Sequence, residues 1–137
     1  MVKFIAGGKG EGKTKRIIDM ANACAKTTDG RLVFIDDDKR HIFDLNHVIR
    51  FVETGKKRLS TYKELIGFVL GILSMDSDIK HIFIDGLTNI IETIDDENLV
   101  KLISRLNIIA ASNDVEFVVC ANFKAETLPD EIKAILI

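Results

Sequence analysis

Val2-Lys3-Phe4-Ile5-Ala6-Gly7-Gly8-Lys9-Gly10-Glu11-Gly12-Lys13-Thr14 is the stretch on which the reading of this chain turns. Its first five residues are a largely apolar, β-branched and aromatic run closed by glycine, which suits a buried strand. From Lys13 to Lys26, the residues Ile17, Ile18, Ala21, Cys24 and Ala25 recur at helical spacing. Between strand and helix, Gly7, Gly12, Lys13 and Thr14 meet the pattern G-x-x-x-x-G-K-[S/T], with Gly8 and Gly10 as further glycines inside it. Such a loop turns its main-chain N–H groups inward around a phosphate, an approach that side chains obstruct. Lys13 then brings an ammonium to the β and γ phosphates and Thr14 a hydroxyl to Mg²⁺, while the helix adds its positive N-terminal end. The bare pattern arises by chance in about one chain of this length in a few hundred. The strand before it and the helix after it are what separate a phosphate loop from a glycine-rich turn.

Working outward, Thr27-Thr28-Asp29-Gly30 is a turn signal, and Leu32 to Ile35 is a second buried strand that ends in Asp36-Asp37-Asp38. Val48 to Val52 suits a short strand, followed by a polar loop from Thr54 to Arg58. Ser60 is placed to cap a helix that carries Leu65, Ile66, Val69, Leu70, Ile72 and Leu73 to about Met75. Ile79 to Ile84 is a strand with Asp85 at its end. Asp95 or Asp96 caps a helix to about Ser112, Val115 to Ala121 is a strand that ends at Asn122, and Leu128-Pro129-Asp130-Glu131 opens a last helix. Strands that alternate with helices need crossover connections, so the expected fold is α/β: a three-layer α/β/α sandwich with a mainly parallel sheet.

The 137 residues, 47% hydrophobic and 29% charged, suit a single domain over 1–137. The 19 basic and 21 acidic residues give a net charge of -2 with no stripe of Lys and Arg, so nucleic acid is not an expected partner. Cys24 and Cys120 fall in apolar surroundings with no second Cys or His at ligand spacing, which predicts buried, reduced thiols. The apolar start is too short for a signal peptide, and no run approaches the ~18 apolar residues of a membrane span, so the expected location is cytoplasmic.

With Ile82-Phe83-Ile84-Asp85 as a second element, the sequence resembles the P-loop NTPase superfamily, in which the glycine loop is Walker A and this strand looks like Walker B. The resemblance implies that Asp85 and Thr14 hold Mg²⁺, and that ATP contacts Gly7, Gly8, Lys9, Gly10, Glu11, Gly12, Lys13 and Thr14. Three stretches are most like the RecA and KaiC group: Phe34-Ile35-Asp36-Asp37-Asp38, Ile84-Asp85-Gly86-Leu87-Thr88 and Cys120-Ala121-Asn122. By that likeness the core is RecA-like, Asp38 (or Asp36) positions the attacking water beside the catalytic Lys13, and Asn122 senses the γ phosphate.

The implied activity is slow, Mg²⁺-dependent ATP hydrolysis. Asp38 is one methylene shorter than the family's glutamate, so the alternative is a non-hydrolysing, nucleotide-dependent switch that acts on a protein partner or a second copy of the chain. The MinD and ParA group places an additional lysine five residues before the loop lysine, where Gly8 stands here. No Asn-Lys-x-Asp motif reads guanine, which favours ATP over GTP. Lys39, Arg40 and His41 read as a solvated loop, and Lys56-Lys57-Arg58 as a surface turn.

Overall fold

The computed structural model describes residues 1–137. Five strands, β1 (Val2–Ala6), β2 (Arg31–Asp36), β3 (Arg50–Glu53), β4 (Ile79–Ile84) and β5 (Glu116–Ala121), form one sheet. Its order is β1-β5-β4-β2-β3, and every pairing is parallel. Helices α1 (Lys13–Ala25), α2 (Tyr62–Met75), α3 (Leu87–Ile90), α4 (Asp96–Asn113) and α5 (Asp130–Lys133) lie along the connections.

Alternation along each strand explains the layering, because successive side chains leave a strand on opposite faces. Val2, Phe4, Val33, Ile35, Ile82, Ile84, Phe117 and Val119 belong to a 25-residue core shared with α2 and α4. Ile5, Leu32, Phe34, Phe83, Val118 and Cys120 belong to a 10-residue core on the other face, closed by Ile17, Ile18 and Ala21 of α1. Phe34 stacks between Phe51 and Phe83, each at 6.4 Å between ring centroids. A fully buried side chain such as Phe34 contributes about 1.5–3 kcal/mol of transfer free energy.

Local chemistry follows the sequence expectation at the start of α4 and departs from it at other element ends. The Asp95 carboxylate caps α4 by accepting the Asn98 N–H at 2.8 Å. Ser60 does not cap α2: the helix starts one residue later, after Thr61, and Glu64 reaches back to accept the Ser60 N–H at 2.8 Å. The third strand begins at Arg50 rather than Val48, because Ile49 is drawn into the core before the ladder starts. Cys24 is only half-buried, whereas Cys120 is buried, and both thiols are free.

The last helix is a single turn. After it the chain runs beside β1, where the Phe4 N–H donates to the Ile135 carbonyl and the Ile137 N–H to the Phe4 carbonyl, both at 3.0 Å. The apolar C-terminal residues therefore cover the open edge of β1, a position in which an unpaired strand would invite association. No helix is long and apolar enough to cross a membrane.

Candidate functional site

In a parallel sheet the C-terminal strand ends all face one way, and the loops that leave them converge. Here they enclose a cleft of about 420 Å³. The loop after β1 contributes Lys9, Gly10, Gly12, Lys13 and Thr14. The end of β2 contributes Asp36, Asp37, Arg40 and His41; β4 contributes Asp85 and Gly86; β5 contributes Cys120, Ala121 and Asn122. Gly10 and Gly12 have φ of 84° and 80°, the left-handed region that a Cβ disfavours, and Gly12 is the residue that turns the chain into α1.

Two buried carboxylates form the cleft wall. Asp36 and Asp85 are each only 4% exposed. Their backbones are pinned: the Asp85 N–H donates to the Ile35 carbonyl and the Thr54 N–H to the Asp36 carbonyl, both at 2.9 Å. Burial pushes the Asp36 carboxyl up to about 8, helped by its contact with the Asp37 carboxyl and by the Asp85 charge. Asp36 Oδ1 also accepts the Asp37 N–H at 2.7 Å, while Asp37 Oδ1 is buried without a donor. A proton retained by Asp36 lets it donate to Asp37 and removes that deficit.

Burial likewise raises Asp85, against the opposing pull of the Thr14 hydroxyl and the Cys120 thiol that face it. The Cys120 thiol is pushed up to about 12 by burial and by the Asp85 charge, which leaves it an inert donor. No cluster of three His, Cys, Asp or Glu side chains stands at ligating geometry. Mg²⁺ does not require one, since it is usually held by one or two carboxylates with phosphate oxygens and its own waters. The hard oxygens of Thr14 and Asp85, which face each other in the cleft, fit such an ion.

Not every residue singled out from the sequence reaches the cleft. Lys9, Gly10, Gly12, Lys13, Thr14, Asp85 and Asn122 line it. Gly7, Gly8 and Glu11 belong to the loop but do not line the cleft: the Glu11 carboxylate lies against both glycines, 2.6 Å from where a Cβ on Gly7 would stand. Lys13 Nζ donates to the Gly8 carbonyl. Asp38 is outside the cleft; the backbone N–H and the guanidinium of Arg40 hold its carboxyl below the usual range. The sequence reading missed Asn89, which lines the cleft one helical turn beyond Gly86, and gave Arg40 and His41 to solvent. The only signal for Asn89 is its spacing of three residues after a glycine.

A larger depression, about 800 Å³, opens at the opposite ends of the strands between Arg31, Lys80, Asp78, Asp114 and their neighbours. It has no glycine loop, and its cations already pair with acids, Arg31 with Asp76 at 2.8 Å and Lys80 with Asp114 at 3.9 Å. The α/β fold and the cleft at the C-terminal strand ends together define a small parallel-sheet protein with a polar, mixed-charge site. No protein-family model matches the chain, and no curated protein matches it.

Proposed function

We propose that the chain is a P-loop ATP-binding protein with a RecA-like core and slow, Mg²⁺-dependent hydrolytic activity. The observation that carries this reading is that Asp36, Asp85 and Asn122, from the ends of β2, β4 and β5, share one cleft with Lys13 and Thr14. The strand order supports it as well. β5 lies between β1 and β4, so Asn122 stands between the glycine loop and the carboxylate wall, where a γ-phosphate sensor has to be.

In this reading the loop N–H groups and Lys13 neutralise the β and γ phosphates, and Thr14 and Asp85 hold the metal. Bound Mg²⁺ supplies charge neutralisation on the phosphate oxygens. Of the two carboxylates considered for the attacking water, Asp36 lines the cleft and Asp38 does not. With its carboxyl brought up to about 8, Asp36 is mostly protonated at neutral pH, and only its ionised minority, which grows as pH rises toward 8, accepts a proton, in keeping with slow turnover. Asp36 takes the proton of the water as its oxygen bonds to the γ phosphorus and the bond to the ADP oxygen breaks. ATP consumption and free thiols suit a cytoplasmic location.

Calorimetry with Mg²⁺-ATP and a phosphate-release assay test the proposal. Heat of binding that disappears in Lys13→Ala, with release of phosphate that disappears in Asp36→Asn, is expected; no heat with ATP, ADP or GTP would sink it. A second reading, the non-hydrolysing switch, is favoured by one observation, the retained proton on Asp36 at neutral pH. Tight binding without phosphate release would select it.

A further inference from the structure

Arg40 and Asp38 sit two residues apart after β2, yet only Arg40 lines the cleft. The Asp38 carboxylate accepts the Arg40 backbone N–H at 3.0 Å and faces Nε at 2.9 Å from Oδ2 and 3.1 Å from Oδ1. This contact uses the Nε edge of the guanidinium and leaves Nη1 and Nη2 without any protein acceptor. A planar guanidinium held in this way presents two parallel donors, the fork that matches a pair of phosphate oxygens.

The strand order gives that side chain its side of the cleft. β2 is separated from β1 by β5 and β4, so its loop and the glycine loop stand about 14 Å apart across the sheet. The cations of the cleft consequently come from two sides: Lys9 and Lys13 from the glycine loop and the start of α1, with Lys15 beyond them, and Arg40 from the β2 loop. The carboxylates Asp36 and Asp85 stand in the cleft wall at the ends of β2 and β4.

We infer that Arg40 is a nucleotide-contacting residue that grips the terminal phosphate of a nucleoside triphosphate from the β2 side, and that Asp38 is the positioning residue that orients it. This rests on the proposed nucleotide site and assigns Asp38 a different task from the water-activating role expected of it. A contact made to the terminal phosphate alone is lost with a diphosphate, so it favours ATP over ADP. At 69% side-chain exposure, Arg40 can be replaced without disturbing the core.

The test is a set of affinities for a non-hydrolysable ATP analogue and for ADP, both with Mg²⁺, measured on wild type, Arg40→Ala, Asp38→Asn and the double variant. The expected result is that Arg40→Ala weakens the analogue by at least about tenfold while ADP is unchanged, as loss of hydrogen bonds to a charged group implies. Asp38→Asn shifts the same preference in the same direction, and the double variant is no worse than Arg40→Ala alone, because one residue acts through the other. An unchanged ATP-over-ADP preference in Arg40→Ala overturns the inference. So does an Asp38→Asn protein that binds the analogue normally but releases no phosphate, the pattern of a base. Wild-type protein that binds neither nucleotide overturns the proposed function and this inference together, whereas the other two results leave the nucleotide site standing.

Discussion

Asp36 and Asp85 end the neighbouring parallel strands β2 and β4, and both carboxyls are buried in the wall of one cleft. Neither has a basic partner in an ion pair. Two acids in that position are costly to ionise together, and such sites concentrate where chemistry is done.

The sign of the resulting pH dependence is fixed by Asp36. Its carboxyl titrates at about 8 in the folded chain and near 4 when unfolded. Between those values the folded chain holds a proton that the unfolded chain has released, so stability falls as pH rises. The contribution is complete below about pH 4 and is lost as pH passes through about 8. Asp36→Asn supplies a permanent donor to Asp37 and removes the penalty. It is expected to raise stability at pH 8 by about 1–3 kcal/mol in metal-free buffer and to flatten the pH profile, while it abolishes turnover. Chemical denaturation from pH 5 to 9 checks this; a less stable, equally pH-dependent variant would count against the shared proton.

Lys13 lies at the start of α1, its ammonium close to the loop carbonyl of Gly8. Replacement by Ala is expected to weaken Mg²⁺-ATP about 10–100-fold, through lost charge-assisted hydrogen bonds. Stability should change by less than about 0.5 kcal/mol, since the side chain is not in the core. Titration calorimetry and a thermal melt separate the two effects.

Gly12 joins the loop to α1 at φ 80° with open space around its missing Cβ. Gly12→Ala therefore costs backbone strain rather than a clash, about 1–2 kcal/mol. A lower melting temperature together with weaker nucleotide binding is expected. A variant with both properties intact would show that the turn tolerates other dihedrals.

Residues 134–137 cover the β1 edge next to the glycine loop, and Arg16 of α1 donates to the Ile137 carbonyl at 2.8 Å. Truncation after Lys133 removes those bonds and the packing of Ile135 and Leu136. It is expected to cost about 1–3 kcal/mol and to promote association through the bare edge. Light scattering and thermal melts read both, and a monomeric, equally stable truncation would contradict the role given to this segment.

Much of the fold is written in local patterns. Ile79 to Ile84 is a strand with the bounds its apolar run suggests, and the alternation of strand and helix signals leads to a parallel sheet because each intervening helix supplies the long crossover that parallel strands need. The glycine loop is legible because its residues are contiguous. Element ends were less so: the helix start at Ser60 and the strand start at Val48 differ because Glu64 and Ile49 act through contacts that spacing does not carry, whereas the last helix opens at Asp130 as its proline and acids suggest.

The site divides in the same way. Sequence alone determined that Lys13 and Thr14 open a helix after a glycine loop and that Asp36, Asp85 and Asn122 end strands, since each is a property of neighbouring residues. Which carboxylate enters the cleft, which one holds Arg40, and how far burial raises Asp36 were decided by the tertiary structure alone. Those outcomes depend on strand order and on the distance between charges, and strands remote in the chain acquire both only when the sheet assembles.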